Sequence, residues 1–277
     1  MGATKTFPAI KAASRKTSGK KNITKVYHIA YAPEIKKVYL FFWDCNLKCR
    51  GCLCKKEINC LALEENLDTV FRNPDLRPPQ TPEQFLSLSE LMDILKKVEI
   101  NEVLFEGQEA TCDPMLPEIC RLIKNEFHRC WVSLNTNGIK YPDLTNIDEV
   151  IFSIKAVTDS LYKDYTERSN KSALRNFKKI YDYGVKMRAE SVFIPDYIDL
   201  EETEKIARFI ASIDKDISFR IDAYFESGDN HWRHPAPEEM SQAVAVSKKH
   251  LNNVYSTQQT KKDLSKEDLI FEVIKLY

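Results

Sequence analysis

Short apolar runs alternate with amphipathic segments along most of the chain. Runs of this length, bounded by turn-forming residues, are typical of buried strands. Six runs are predicted to be strands: Val38–Trp43, Glu102–Glu106, Trp131–Asn135, Val150–Lys155, Met187–Ile194 and Ile217–Tyr224.

The segments between these runs have helical periodicity. Leu91, Ile94, Leu95 and Val98 recur at the i, i+3, i+4 and i+7 spacing of one helix face. The predicted helices are Ser89–Val98, Pro117–Phe127, Ser172–Tyr183, Glu201–Ser212 and Pro237–Leu251, with a further terminal helix over Leu269–Tyr277.

This alternation predicts an α/β fold in which helices cover a parallel sheet. Six strand–helix units make a partial (β/α)6 parallel barrel that is laterally open. Active sites of parallel barrels lie at the carboxyl ends of the strands, and we therefore expect functional side chains there.

Composition places a single large domain between two shorter segments. The chain has 277 residues, is 43% hydrophobic and has zero formal net charge, which gives no global attraction to nucleic acid or membranes. Residues 1–33 carry lysine and arginine but no acid. We predict a disordered basic tail at 1–25, a barrel at 26–252 and a C-terminal extension at 253–277.

The strongest chemical pattern is a cysteine triplet directly after the Val38–Trp43 run. Cys45, Cys49 and Cys52 have C-x3-C-x2-C spacing. Three thiolates so close together suit a [4Fe–4S] cluster and leave one iron without a cysteine ligand. Disulfides and structural zinc are the alternatives, but neither a secretion signal nor a second cysteine pair of zinc-site spacing is present. Fourth ligation by Cys54 or Cys60 remains open.

The triplet resembles the cluster motif of the radical S-adenosylmethionine (radical SAM) superfamily, and later motifs resemble its glycyl-radical-enzyme activating enzymes, the pyruvate formate-lyase type. Gly107-Gln108-Glu109 resembles the Gly-Gly-Glu segment that holds the amino group of SAM. Asn135 and Ser153 stand where those enzymes carry Asp, and Lys155 matches a Lys that ends a strand. An aromatic residue of the family motif is replaced here by Gly51.

These matches imply which residues bind the cofactors. Cys45, Cys49 and Cys52 would hold the cluster, and the expected SAM contacts are Gly107, Gln108, Glu109, Asn135, Ser153 and Lys155. We add Arg188, which shares a predicted strand with Glu190. This pair either points into the barrel or forms an internal ion pair.

The resemblance implies an enzyme that reductively cleaves SAM to a 5′-deoxyadenosyl radical, which abstracts hydrogen from a glycine of a partner protein. A small molecule or another macromolecule is the alternative substrate, and a non-catalytic zinc or iron–sulfur protein is the third hypothesis. The implied electron donor is reduced flavodoxin or ferredoxin, and the implied setting is a cytoplasm with little or no oxygen.

Overall fold

A computed structural model describes residues 22–63, 66, 79–257 and 272–277. Its strands are β1 (Val26–Ala32), β2 (Lys37–Phe42), β3 (Glu102–Gly107), β4 (Trp131–Thr136), β5 (Glu149–Ser153), β6 (Lys186–Phe193), β7 (Ser218–Ala223), β8 (Val254–Thr257) and β9 (Ile274–Lys275). Its α-helices are α1 (Leu88–Leu95), α2 (Leu116–Glu126), α3 (Asp159–Thr166), α4 (Lys171–Tyr183), α5 (Leu200–Ala211) and α6 (Pro237–Ser247).

The described strands form one sheet in the order β8-β7-β6-β5-β4-β3-β2-β1-β9. Neighbours from β2 to β8 are parallel, whereas β1 and β9 are antiparallel to their neighbours. Because β8 and β9 lie at opposite ends of this order, the sheet is not closed into a full barrel. The predicted α/β partial barrel is confirmed, and its six predicted strands correspond to β2–β7.

Local sequence signals explain where the helices begin and end. Ser87 and Glu90 form a reciprocal capping box that starts α1. Asp199 accepts hydrogen bonds from the first amides of α5. Gly184 ends α4 with a φ of 88°, a left-handed conformation that glycine adopts without steric cost.

Among the elements of the described residues, three strands and one α-helix were not predicted. The seven residues of β1 are all buried, although their neighbours in sequence are basic, and this strand pairs with β2 through residues 33–36. The prediction of a helix over Leu269–Tyr277 is wrong within residues 272–277, because β9 forms there and pairs with β1. Helix α3 and strand β8 were also missed. The basic tail lies outside the described residues up to position 21.

The two faces of the sheet differ in chemistry. Phe105, Leu134, Phe152 and Ala189 point outward into the core that the helices cover. The next residue on each strand points inward, because side chains alternate along a strand. Those inward residues are Glu106, Asn135, Ser153 and Glu190. The barrel interior is therefore polar near the carboxyl ends of the strands. No helix in the described part of the chain is long and apolar enough to cross a membrane.

Candidate cluster and cofactor site

The cysteine loop follows β2 directly and is held by backbone contacts to α3. The amide of Lys48 donates to the carbonyl of Thr166 at 3.2 Å, and the amide of Arg50 donates to the carbonyl of Tyr165 at 2.9 Å. A short 3₁₀ turn over Leu53–Lys55 continues the chain. The loop therefore owes its shape to the helix that the sequence did not predict.

The three cysteines of the motif line one cavity of about 480 Å³ at the carboxyl ends of the parallel strands. The Sγ of Cys45 accepts hydrogen bonds from the Leu47 amide at 3.4 Å and from Asn137 Nδ2 at 3.6 Å. Burial raises the pKa of Cys45 to about 12 and that of Cys49 to about 11. Both thiols are close enough to Cys52 to feel its charge.

All eight cysteines are free thiols. Cys54 hydrogen-bonds to Cys52, which lowers the pKa of Cys52 to about 6. Cys54 and Cys60 line the same cavity, and fourth ligation therefore stays open. Cys120 and Cys130 are buried among apolar side chains of the core. Cys112 is partly buried.

The segment after β3 is fixed by a glycine that no other residue can replace easily. Gly107 has a φ of +96°, and an added Cβ would lie 2.7 Å from both the N and the O of Phe42. The buried Glu109 accepts from the Thr111 and Thr136 hydroxyls at 2.6 and 2.7 Å and from the Asn137 amide at 2.8 Å. Glu109 thus ties the end of β4 to the end of β3.

The next two strands add a polar cluster to the cavity wall. Glu190 Oε1 accepts from the Ser153 hydroxyl at 2.5 Å and from Asn135 Nδ2 at 3.3 Å. Lys155 also lines the cavity. Burial alone would lower the pKa of Lys155, but the nearby thiols and Glu190 outweigh it and raise the value. The cavity therefore holds an ammonium group beside the cysteine loop.

The structure does not bring Arg188 to this cavity. Its guanidinium forms two hydrogen bonds of 3.1 Å with Glu149, nearer the amino ends of the strands. Glu190 pairs instead with Arg220, at 2.5 Å. Both hypotheses for the Arg188–Glu190 pair are thus wrong in part, since each residue has an ion-pair partner but not the other. All other predicted site residues line the cavity.

The chemistry of this donor set fits an iron–sulfur cluster. Cys45, Cys49 and Cys52 surround one cavity, and N–H donors reach a sulfur, as is common around such clusters. Within the described residues, no three His, Cys, Asp or Glu side chains converge on the position of a single metal ion. The cysteines that hold a cube bind different iron atoms.

An open parallel sheet with a cysteine loop and cavity at its strand carboxyl ends defines an α/β enzyme with a cofactor site there. The model of the family "Radical SAM superfamily" matches residues 40–210, which is more than half of the chain. The chain belongs to the radical SAM superfamily. Its cofactors are a [4Fe–4S] cluster and SAM, and the enzymes of this family need an external reductant.

Known proteins similar to this chain extend the comparison. A protein of Methanocaldococcus jannaschii named "Putative glycyl-radical enzyme activating enzyme" is 26% identical over 79% of each chain. Escherichia coli QueE has a similar structure, with a TM-score of 0.53, 11% identity, and coverage of 85% of this chain and 94% of QueE. Streptococcus suis SuiB, solved with its precursor peptide SuiA, gives a TM-score of 0.56 and 13% identity over 77% of this chain. The alignment spans 46% of SuiB.

Several cavity residues escaped the sequence prediction. Glu106, Tyr165, Tyr224 and Asp222 all line the cavity. Glu106 and Asp222 could have been found from strand parity, because each lies near the carboxyl end of a strand with its side chain on the inner face. Tyr165 lies on α3, and only the contacts of that helix with the cysteine loop place it here.

Proposed function

We propose that this enzyme activates a partner protein by removing a hydrogen atom from one of its glycines. The observation that carries the proposal is the similarity to the Methanocaldococcus jannaschii protein, because it extends over 79% of both chains. The name of that protein describes activation of a glycyl-radical enzyme.

The open edge of the sheet gives a segment of a macromolecule access to the site. The cavity of about 480 Å³ lies at the carboxyl edge of the sheet. Its volume falls within the roughly 300–1,000 Å³ of small-molecule sites, and the cluster and SAM would occupy part of it, so the segment that enters must be short. SuiB, which shares this fold, was solved with a peptide bound.

The residues of the site would have separate roles in binding the cofactors and in positioning the strands. Cys45, Cys49 and Cys52 would bind the cluster, and Lys155 would pair with the carboxylate of SAM. Glu109 holds the ends of β3 and β4 in register through its hydrogen bonds. Once bound and reduced, the cluster and SAM supply hydrogen-atom abstraction, which is chemistry that side chains alone cannot perform.

The first test concerns the cofactors. After anaerobic reconstitution, iron and sulfide content are measured, and 5′-deoxyadenosine is assayed with SAM and dithionite. We expect Cys49→Ala to lose both the cluster and the product. Cys120→Ala is the matched control, because Cys120 is buried in α2 away from the cavity. Stoichiometric zinc with no 5′-deoxyadenosine in the wild type would refute the enzymatic proposal.

The second test concerns the substrate. The neighbouring genes are searched for a glycyl-radical protein. Any such protein is incubated with the reduced enzyme, and electron paramagnetic resonance tests for a glycine-centred radical. Reduced flavodoxin or ferredoxin should replace dithionite, and oxygen should abolish the signal. Formation of 5′-deoxyadenosine without a protein radical would favour a small-molecule or other macromolecular substrate instead.

A further inference from the structure

Glu106 differs from every other carboxylate of the cavity wall. Five acids line the cavity, and Lys155 is the cation among the lining residues. Four of the acids accept hydrogen bonds from described residues. Glu57 accepts from the amides of Ile58 and Asn59, and Glu109 accepts from Thr111, Thr136 and Asn137. Glu190 accepts from Asn135, Ser153 and Arg220. Asp222 accepts from Thr257 and Arg220. In the described part of the chain, Glu106 has no hydrogen-bond or ion-pair partner.

The nearby cationic side chains form ion pairs with other acids. Lys37 pairs with Glu102 at 2.9 Å. Arg220 pairs with Glu190 at 2.5 Å and with Asp222 at 3.0 Å. Burial raises the pKa of Glu106 to about 7, and the charges of Lys37 and Arg220 only partly oppose this effect. Glu106 is only partly buried and faces the cavity, so its carboxylate is accessible to a cationic group that enters there.

The charges that act most on Glu106 differ from those that act most on the cluster cysteines. The charged groups that act most on Cys49 and Cys52 include Lys155 and Lys55. Those that act most on Glu106 are Lys37, Glu190 and Arg220, which come from β2, β6 and β7. Glu106 in turn acts on Tyr39 and Cys60. It therefore lies in the part of the cavity that faces the barrel interior.

We propose that Glu106 binds a cationic group of the substrate, an ammonium or a guanidinium, next to the hydrogen that is removed. This inference rests on the proposed function, in which the cation is a lysine or arginine side chain close to the target glycine. An ion pair formed in a cavity of low dielectric is strong and selective. Glu106 is thus a specificity-determining residue rather than a part of the cofactor site.

Binding of model peptides tests this assignment without turnover. The probes are fluorescein-labelled, end-blocked glycine peptides that carry lysine, arginine, norleucine or glutamate beside the central glycine. Fluorescence anisotropy is measured anaerobically on the reconstituted, SAM-loaded, unreduced enzyme. We expect the lysine and arginine peptides to bind roughly 10- to 100-fold more tightly than the norleucine peptide. Glu106→Gln should abolish this preference.

Glu57→Gln is the matched control, since Glu57 lines the same cavity but already accepts hydrogen bonds from the amides of Ile58 and Asn59. It should keep the preference for cations. In the wild type the affinity for the lysine peptide should rise with pH up to about 7, as Glu106 ionises. In Glu106→Gln this dependence should vanish. The titratable and charged groups that interact with Glu106 are Tyr27, Lys37, Tyr39, Cys60, Glu190 and Arg220.

The outcomes separate this inference from the proposed function. Equal affinity for the lysine and norleucine peptides would overturn the inference, even if the enzyme generates a glycyl radical. Weaker SAM binding in Glu106→Gln, with the peptide preference intact, would also overturn it by assigning Glu106 to SAM. A Glu106-dependent preference for cations supports the inference, even if the radical never appears on glycine.

Discussion

Replacement of Gly51 by alanine tests how the cysteine loop packs against the aromatic side chains of the site. An added Cβ would lie 2.7 Å from Cε2 of Tyr224, 3.2 Å from Trp232 and 3.4 Å from the hydroxyl of Tyr165. Tyr224 is 1% exposed and its hydroxyl bonds to both the amide and the carbonyl of Ser227, at 3.1 and 3.0 Å. The ring therefore cannot move aside easily. Overpacking of this kind costs about 1–3 kcal/mol.

Urea denaturation of the reconstituted protein measures this cost. We expect Gly51→Ala to lower the free energy of unfolding by about 1–3 kcal/mol and to reduce the iron content, because Gly51 lies between Cys49 and Cys52. In a Tyr224→Leu background, which removes the clashing ring atom, the penalty should fall by at least half. In a Tyr224→Phe background, which keeps that atom, it should persist. A penalty that is additive with Tyr224→Leu would refute the steric explanation.

Three further predictions concern the remaining supports of the site. Glu202→Ala should lower the free energy of unfolding by about 2–4 kcal/mol, because the buried Glu202 accepts hydrogen bonds from the amides of Val157 and Thr158. As a control, substitution of the exposed neighbour Glu201 by alanine should cost less than about 1 kcal/mol in the same urea assay. His28 is buried, and burial lowers its pKa from 6.5 to about 4. As pH falls, His28 is therefore protonated in the unfolded chain before it is protonated in the folded one. The free energy of unfolding should fall by about 3 kcal/mol between pH 6.5 and pH 4. Urea denaturation of His28→Phe should not show this pH dependence. Lys155→Met should weaken SAM binding by roughly 10- to 100-fold in equilibrium dialysis, with little change in iron content; an unchanged affinity would remove Lys155 from the SAM site.

The strands that build the site could be predicted because their apolar runs are local signals. β2–β7 are each bounded by turns, and the cysteine triplet follows the first of them in sequence. The strands that were missed depend on distant partners. β1 is buried only because it pairs with β2 and β9, and its basic neighbours in sequence gave no indication of this.

The cofactor motifs could be found from their order along the chain. The ion pairs between side chains of different strands could not be predicted in this way. Arg188 and Glu190 share one face of β6, and nothing in the local sequence separates them. Glu149 and Arg220 decide their partners, and both come from other strands. Strand parity places Glu106 on the inner face of β3, but only the ion pairs of Lys37 and Arg220 with other acids show that Glu106 has no partner among the described residues.

The backbone constraint at Gly107 has a consequence for how enzymes of this kind can diversify. Any side chain at this position would collide with the backbone of Phe42, at the base of the cysteine loop, and random mutagenesis should recover glycine alone. The adjacent Glu106 has no such steric constraint on its backbone, and it can be substituted without disturbing the hydrogen bonds between β2 and β3. A library restricted to position 106 would therefore change substrate preference while leaving cofactor assembly intact, which makes it an economical starting point for directed evolution.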